Sequence, residues 1–412
     1  MDQKFKYQCT TCGSEYGSEE VIYLCPECNR YQHPKEPPRG VLKVIYDYQA
    51  LRERKIDFQQ LKQNGFLDIL PIESLSSLPK LKIGKTPLYQ IEKLNGVNIP
   101  FNLYIKDDSQ NPTFSFKDRA SALVSTFAKE RGLNNIVAAS TGNAGSSLAG
   151  ICAAQGQKAI IMVPETAPIA KLTQIMMYGA IIVPVKGTYD QAFDLSIEAS
   201  DKFGWYNRNT AYNPLTIEGK KTVAFELFEQ MGFTVPDRIF VPVGDGVIIS
   251  GVYKGFEDLL NLGIIEKMPI IVAVQSSGSD NLVRNLTNTV FESRASVTIA
   301  DSIAVDYPRN FHMAKKYIEI YNGETLIIPD NAIIDASKLL AKETGIFTEP
   351  ASAAAYGGLC LYQHKALIEP GSSNVVLLTG SGLKDTGCLG SVIKLPSSIS
   401  PTIANLKDFI KW

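Results

Sequence analysis

Residues 101–131 read FNLYIKDDSQNPTFSFKDRASALVSTFAKER, and this stretch combines a strand, a break and a helix. Residues 101–105 are mostly apolar and predict a strand, which Asn111 and Pro112 bring to an end. The amphipathic pattern over residues 120–131 predicts a helix. The same order of strand and helix recurs along the chain, which predicts parallel sheets with helices on both faces.

The rest of the chain follows this pattern without a repeat of fixed period or a low-complexity tract. Further strands are predicted at residues 136–139, 159–163, 180–185, 238–243, 270–275 and 374–379. Further helices are predicted at residues 144–154, 169–178 and 189–203. The expected fold class is therefore α/β, with a mixed and undecided pattern over residues 41–81.

Composition excludes several classes of function. The chain has 412 residues, 45% of them hydrophobic, so it is long enough for two or three domains. A formal net charge of -1 gives no reason to expect nucleic acid or an anionic membrane as a partner. The N-terminus lacks an apolar signal core and no apolar run is long enough to span a bilayer, so a cytoplasmic protein is expected. The three histidines lie in no recognisable motif, which argues against catalysis by histidine.

Lys117 is the residue on which the prediction of function depends. Ser115 can cap the helix that follows, so the lysine is expected in the first turn of that helix, at the edge of a sheet. The positive helix end and the nearby cation Arg119 both make the neutral, nucleophilic form of the amine easier to reach. An ordinary solvated lysine could occupy the same position, so its neighbours along the sheet edge decide between the two interpretations.

Two predicted strands end in loops that suit anionic ligands. The loop after residues 136–139 combines two hydroxyls, a carboxamide and the free amides of a helix start, which suit a carboxylate. Its members are Ser140, Thr141, Gly142 and Asn143. The loop after residues 238–243 has the order of strand, glycine turn and helix that directs amides at a phosphate. Its members are Gly244, Asp245, Gly246, Val247 and Ile248.

The second loop matches neither of the common nucleotide motifs. It is not a P-loop, because Val252 rather than lysine follows Gly251, and Ile249 takes the place of the third glycine of the dinucleotide fingerprint. A third strand end carries the hydroxyl of Thr379. A lysine amine, a phosphate loop, a carboxylate loop and a hydroxyl for a ring nitrogen together form the binding inventory for pyridoxal phosphate and an amino acid.

The first 40 residues carry a separate pattern. Two Cys-x-x-Cys pairs, with turns at Gly13 and Pro26, have the spacing of a structural zinc site with four thiolate ligands. The expected ligands are Cys9, Cys12, Cys25 and Cys28. A degenerate ribbon that has lost its metal would leave the same four cysteines. A ribbon of this kind also occurs in modules that bind partners or nucleic acid, although the acidic residues around it argue against nucleic acid.

The chain resembles the threonine synthase family, within the tryptophan-synthase-like (fold type II) pyridoxal phosphate enzymes. The resemblance spans residues 80–390 and rests on five motifs in the order of the family. These motifs lie at residues 111–119, 140–143, 242–244, 349–354 and 378–385. It implies two α/β domains with the cofactor between them, a large one of residues 41–119 and 213–412 and a small one of residues 120–212. The zinc-ribbon-like unit of residues 1–40 precedes them, and a homodimer is expected.

The resemblance also implies a role for each site residue. Lys117 would hold the cofactor covalently and move protons, Asn143 would hydrogen-bond the ring hydroxyl, and Thr379 would meet the pyridine nitrogen. Gly244 to Ile248 would cradle the cofactor phosphate, and Ser140, Thr141 and Gly142, with Asn143, would bind the substrate. The implied reaction converts O-phospho-L-homoserine and water to L-threonine and phosphate.

Three departures from the family pattern bear on these expectations. Phe114 stands where the family has glycine, and Asp245 lies in the phosphate loop, where its side chain must face away from a dianion. Thr216 stands where threonine synthases carry an arginine that grips the substrate phosphate. Another cation is then needed, and the candidates are Arg208, Lys220 and Lys221.

Two alternatives remain open from the sequence. One keeps the cofactor and changes the substrate, as in a serine/threonine dehydratase or a β-replacement enzyme similar to cysteate synthase. The other is a ribbon-containing binding protein with a relict enzyme body. The intact set of Lys117, Asn143 and Thr379 argues against the second alternative.

Overall fold

The computed structural model describes residues 3–20, 23–33, 35–94, 96–389, 393 and 396–410. Its strands are β1 (Lys6–Cys9), β2 (Glu15–Gly17), β3 (Leu42–Ile45), β4 (Leu88–Leu94), β5 (Val97–Asp107), β6 (Asn135–Ala139), β7 (Lys158–Pro164), β8 (Ile181–Val185), β9 (Tyr206–Asn207), β10 (Arg238–Pro242), β11 (Ile270–Ser276), β12 (Glu324–Ile328) and β13 (Ser373–Leu378). Within those residues, the strands form one small antiparallel sheet and two larger sheets that are mainly parallel.

The helices connect the strands and cover the sheets. They are α1 (Pro26–Asn29), α2 (Tyr48–Glu53), α3 (Phe58–Gln63), α4 (Lys117–Glu130), α5 (Asn143–Gln155), α6 (Ile169–Met177), α7 (Tyr189–Phe203), α8 (Leu215–Lys220), α9 (Thr222–Gln230), α10 (Val247–Asn261), α11 (Asn281–Arg284), α12 (Phe311–Ile320), α13 (Asp330–Thr344), α14 (Pro350–His364), α15 (Thr386–Leu389) and α16 (Ile403–Ile410). None of the helices in the described ranges is long and apolar enough to cross a membrane.

The largest sheet has six strands in the order β12-β11-β10-β13-β5-β4. Its pairs are parallel except for β4 with β5, which run antiparallel at the edge. Ile239 and Val241 of β10 pack into one apolar cluster, whereas Phe240 between them packs into another cluster together with α14. Burial on both faces is what a parallel sheet covered by helices requires.

The second parallel sheet has four strands in the order β8-β7-β6-β9. Its helices include α5, α6 and α7, and α7 has the bounds predicted from the amphipathic pattern. The prediction of an α/β fold with parallel-rich sheets is therefore confirmed. The domain limits after residues 40, 119 and 212 stay predictions.

The third sheet pairs β2, β1 and β3 in antiparallel fashion near the N-terminus. Thr10 and Cys9 lie where β1 gives way to the turn that contains Gly13, whose φ of 80° is in the left-handed region. Glycine adopts this conformation without steric cost. The described part of the N-terminal segment therefore forms a small β unit.

Candidate active site

A cavity of about 430 Å³ lies where β6, β10 and β13 end and where α4, α5 and α10 begin. Its lining includes every residue that the sequence predicts to bind cofactor or substrate. These are Lys117, Ser140, Thr141, Gly142, Asn143, Gly244, Asp245, Gly246, Val247, Ile248 and Thr379. The volume is in the range of small-molecule sites. Motifs that are far apart in sequence thus meet at the carboxyl ends of parallel strands.

A larger and more open groove of about 890 Å³ lies elsewhere. Tyr89, Phe114, Phe347 and Leu383 are among its lining residues, and Lys117 is not. The groove brings together no lysine amine with a glycine-rich loop. The smaller cavity is therefore the candidate active site.

Lys117 is the first residue of α4, and its side chain is half-buried in the wall of the cavity. Burial lowers the pKa of this amine, against the opposing effect of the carboxylates of Glu349 and Asp245 and with the support of Arg208. A lowered pKa increases the neutral fraction that can attack a carbonyl carbon. The predicted position and chemistry of the lysine fit a covalent attachment point.

Two local expectations around Lys117 are wrong. Ser115 does not cap α4, since its hydroxyl is buried without a hydrogen-bond partner and the helix begins without a side-chain cap. Arg119 is occupied by ion pairs with Asp108 at 2.6 Å and Glu226 at 2.7 Å, so the cation acting on the lysine is Arg208. Sequence proximity did not reveal that the guanidinium of Arg119 is directed away from the cavity.

The substitution of Phe114 for the family's glycine has a visible backbone consequence. Phe114 has a φ of 67°, in the left-handed region that glycine enters freely and other residues rarely do. Its carbonyl accepts a hydrogen bond from Ser381 N at 3.0 Å, which ties the lysine loop to the segment after β13. Phe114 therefore keeps the left-handed conformation that glycine favours, and the hydrogen bond from Ser381 helps to hold it there.

Asn143 is oriented by Glu349. The amide nitrogen of Asn143 donates to both carboxylate oxygens of Glu349, at 3.1 and 3.0 Å. A carboxylate accepts hydrogen bonds, so the amide oxygen of Asn143 is turned away from it and can accept one from a ring hydroxyl. Burial raises the pKa of Glu349, with Asn143 and Lys117 acting in the opposite direction. Glu349 therefore acts on the site by positioning Asn143.

Thr379 is oriented by Ser352. The Ser352 hydroxyl accepts from the backbone nitrogens of Thr379 at 2.9 Å and Gly380 at 2.8 Å, and lies 3.0 Å from the Thr379 hydroxyl. With its lone pairs used by two amides, Ser352 has its own proton to donate. When that proton goes to the Thr379 oxygen, the Thr379 proton is free to point at a ring nitrogen. A donor there suits the predicted contact.

The loop before α10 has the geometry expected of a phosphate cradle. Gly246 has a φ of 84° and precedes Val247, the first residue of the helix. The first turn of a helix leaves amide protons unpaired and carries a partial positive charge. The carboxylate of Asp245 accepts from the backbone nitrogen of Arg309 at 3.2 Å, and burial raises the pKa of this carboxyl group. Both effects reduce its repulsion of a bound dianion.

Helix α8 brings Lys220 into the cavity by packing its backbone against two other helices. A Cβ on Gly219 would lie 2.2 Å from Arg119 O in α4, and a Cβ on Gly251 in α10 would lie 2.6 Å from the Lys220 Cβ. Only glycine allows such close approach. Lys220, itself fully buried, therefore lies beside the starts of α4 and α10 and lines the cavity.

Arg208 enters the cavity from the edge of the four-stranded sheet. It directly follows β9, and its Nε donates to Ser121 Oγ at 3.2 Å while its Nη1 donates to Thr210 Oγ1 at 2.8 Å. Lys221, in contrast, forms ion pairs with Glu218 at 2.5 Å and Asp258 at 2.7 Å and does not line the cavity. Of the three candidate cations, the structure keeps Arg208 and Lys220 and excludes Lys221.

The four N-terminal cysteines also meet. Their sulfur atoms all lie within 4.8 Å of one another, with Cys9 to Cys28 and Cys12 to Cys25 both at 3.7 Å. Tetrahedral zinc with sulfur at ~2.3 Å places its ligands ~3.8 Å apart. The amides of Thr11 and Cys12 both donate to the sulfur of Cys9 at 3.4 Å. The cluster therefore fits a metal ion, as the spacing predicts.

Several residues of the site were missed by sequence reasoning. Glu349 and Ser352 lie in the motif at residues 349–354, which signalled the family without indicating what either side chain contacts. Tyr189, Ser302 and Arg309 also line the cavity, on segments that carry no motif. Nothing in the sequence pattern singles out these last three.

Comparisons with known proteins agree with this geometry. Residues 80–380 match the family described as pyridoxal-phosphate dependent enzyme. The threonine synthase of Methanocaldococcus jannaschii is 35% identical, with 98% of this chain and 99% of the relative covered. The threonine synthase of Methanosarcina acetivorans is 32% identical, with 98% of each chain covered.

Solved structures support the fold alone. The processed form of threonine deaminase isoform 2 from Solanum lycopersicum superimposes with a TM-score of 0.65, at 23% identity, over 87% of this chain and 92% of that one. The sequence matches extend over nearly the whole chain, including the parts outside the family match. The chain therefore belongs to the pyridoxal-phosphate dependent enzyme family and, within it, to the threonine synthases.

Proposed function

We propose that this chain converts O-phospho-L-homoserine and water to L-threonine and phosphate. The observation that carries the proposal is the half-buried Lys117 amine with its lowered pKa, which shares one cavity with a candidate carboxylate loop and a candidate phosphate loop. The near full-length similarity of the chain to the threonine synthase of Methanocaldococcus jannaschii favours O-phosphohomoserine over the substrates of a dehydratase or a β-replacement enzyme.

The cavity suits pyridoxal phosphate through groups of matching chemistry. Lys117 would hold the cofactor covalently, Asn143 would bind its ring hydroxyl and Thr379 its pyridine nitrogen. The loop would bind its phosphate through Gly244, Asp245, Gly246, Val247 and Ile248. When bound, the cofactor supplies an electron sink that makes the protons of an amino-acid substrate acidic. A neutral hydroxyl at the ring nitrogen keeps that sink moderate, which suits elimination and replacement.

Lys117 would also move the protons of the reaction. Its amine, once free, would accept the proton from the α-carbon of the substrate, pass it to the departing γ-phosphate and take up a second proton from the β-carbon. It returns a proton at the γ-carbon, and water then adds its oxygen at the β-carbon and its hydrogen at the α-carbon. The lowered pKa of Lys117 reduces the free-energy difference between its proton-donating and proton-accepting forms, which supports transfer in both directions.

The loop of Ser140, Thr141 and Gly142 would bind the substrate carboxylate. The hydroxyl of Ser140 already accepts from Gly142 N at 3.3 Å, which shapes the loop before a ligand arrives. The loop precedes α5, whose first turn favours an anion. A substrate held by this loop would lie in the same cavity as the Lys117 amine.

Replacement of Lys117 tests the proposal. Lys117→Ala should reduce threonine formation from O-phosphohomoserine at least roughly a hundredfold and should remove the borohydride-reducible bond between chain and cofactor. Lys129→Ala, an exposed position on the same helix, is the matched control. Assays with threonine and O-phosphoserine run beside it. A wild-type enzyme that turns over either of these and makes no threonine would disprove the proposed substrate.

We infer further that Cys9, Cys12, Cys25 and Cys28 bind a structural zinc ion, which would stabilise the N-terminal sheet. Four sulfur ligands leave no open position, so the ion would take no part in catalysis. The homodimer, the cytoplasmic location and the division at residues 40, 119 and 212 remain predictions. Sedimentation analysis of the purified protein measures the first of these.

A further inference from the structure

Arg208 has one guanidinium nitrogen that nothing in the described residues satisfies. Nε and Nη1 are bonded to Ser121 and Thr210, whereas Nη2 is buried without a hydrogen-bond partner. The whole side chain is 0% exposed and lines the cavity. An unsatisfied buried donor is costly, and more so when it is charged. Two of the three guanidinium nitrogens are thus hydrogen-bonded, and Nη2 is free to donate to a ligand.

Lys220 lies in a comparable position. It is 0% exposed, and its amine donates to Thr216 O at 3.1 Å, a carbonyl of its own helix. Burial lowers the pKa of Lys220 well below 10.5 and repulsion from Arg208 and Lys117 lowers it further, whereas the carboxylate of Asp245, which lines the same cavity, acts in the opposite direction. Within the described ranges, neither Arg208 nor Lys220 forms an ion pair with a carboxylate. Two buried basic side chains that face one cavity without a direct ion pair favour the binding of an anion from outside.

The cofactor phosphate does not meet this requirement, because the loop at Gly246 and the start of α10 already provide for it. The substrate carboxylate is assigned to the loop after β6. The anion still without a binding site is a second phosphate group, and the chemistry of the two cations suits it. A guanidinium bonds phosphate oxygens in a fixed plane, and an ammonium group adds a mobile second charge.

We infer that Arg208 and Lys220 form a second phosphate subsite, which holds the γ-phosphate of the substrate and determines specificity for it. The inference rests on the proposed function. Thr216 and Lys220 lie four residues apart on α8, so they share a face of the helix. In this chain, the positive charge expected from an arginine at position 216 is supplied by Lys220, one helical turn later, and by Arg208, which follows β9.

The test uses the cofactor-loaded enzyme and two probes, O-phosphohomoserine and inorganic phosphate. In Arg208→Met and Lys220→Met, we expect kcat/KM for O-phosphohomoserine to fall roughly ten- to a hundredfold, mainly through KM. Binding of inorganic phosphate to the loaded enzyme, measured by calorimetry, should weaken by a similar factor. Affinity for the cofactor should not change. Lys202→Met, an exposed lysine on α7, serves as control.

The outcomes separate this inference from the proposed function. Threonine formation and phosphate binding that both survive in the two variants would overturn the subsite and leave the function standing. Weaker cofactor binding with an unchanged KM would also overturn it, because the cations would then serve the cofactor phosphate. A wild-type enzyme that binds phosphate through these residues but makes no threonine would support the subsite and refute the proposed function. Restored phosphate binding in Arg208→Lys would support a charge-based role.

Discussion

Lys220 and Lys221 are neighbours in sequence, both fully buried, and have opposite surroundings. Lys221 belongs to a closed network in which the carboxylates of Glu218 and Asp258 balance the charges of Lys221 and Lys254. Lys220 has no carboxylate partner among the described residues and faces the cavity. A paired buried cation stabilises the fold in its surroundings, whereas an unpaired one destabilises it until a ligand arrives. Buried charge thus indicates function only where its partner is missing.

The closed network also attaches the N-terminal segment to the catalytic body. Tyr46 donates to Glu218 at 2.6 Å, and Tyr48 donates to Asp258 at 2.6 Å. Both tyrosines lie just after β3, so the ion pairs of α8 and α10 are completed by residues next to the N-terminal sheet. Removal of one charged side chain from this network leaves the charge of its partners uncompensated inside the protein.

The largest effect is expected at Lys221. Lys221→Met should lower the apparent free energy of unfolding by about 3–5 kcal/mol, because Glu218 and Asp258 lose a shared counter-ion inside the protein. Urea unfolding of the cofactor-free protein measures this. Lys220→Met is the matched comparison and should show no comparable loss. Equal destabilisation by the two changes would remove the distinction between the two lysines.

A smaller effect of opposite sign is expected at Lys220. In the cofactor-free protein, Lys220→Met should raise the free energy of unfolding by about 1–4 kcal/mol near neutral pH, since an uncompensated charge is removed. The folded-state pKa of Lys220 lies below 10.5, so between that pKa and 10.5 the unfolded chain binds more protons. Wild-type stability therefore rises with pH in this window, and the advantage of the variant shrinks.

Unfolding curves of both proteins at several pH values up to about 10.5 give this difference directly. Lys117, whose pKa is also lowered, contributes in both proteins, so it largely cancels. If the stability advantage of Lys220→Met over the wild type grew with pH, this would contradict the assignment of Lys220 as an unpaired buried cation.

The smallest effect on the cavity is expected from the N-terminal cysteines. Cys9→Ser should release about one zinc ion per chain, measured by elemental analysis, and should increase proteolysis of the first 40 residues. Absorbance of the bound cofactor should be largely retained, because none of the four cysteines lines the cavity. Metal-free wild-type protein with four titratable thiols in this segment would count against the zinc site.

The features predicted best from the sequence are those that depend on residues close together in the chain. The helix at residues 189–203 and the strands that end at the cavity follow from short-range hydrophobic periodicity, and the loop motifs are contiguous. The strand β12 and the pair α13 and α14 were not predicted. The two-residue strand β9 is too short for any periodic signal, although it positions Arg208.

The site was less predictable where direction matters. Lys220 and Lys221 could not be told apart in sequence, yet one residue along a helix turns a side chain by about 100°, toward the cavity or toward Glu218. Arg119 was assigned to the lysine because it is close in sequence, whereas it forms ion pairs with Asp108, just after β5, and with Glu226 of α9. Such choices depend on tertiary contacts that no local pattern contains.

The glycine contacts of α8 limit how this enzyme could acquire a new substrate. A side chain at Gly219 would collide with the backbone of α4, and one at Gly251 would collide with Lys220, so both positions hold α8 close to its neighbours. Laboratory evolution of anion preference should therefore vary the side chains at positions 208 and 220 and leave both glycines unchanged. Libraries that enlarge either glycine are expected to lose folded protein before they gain a new substrate.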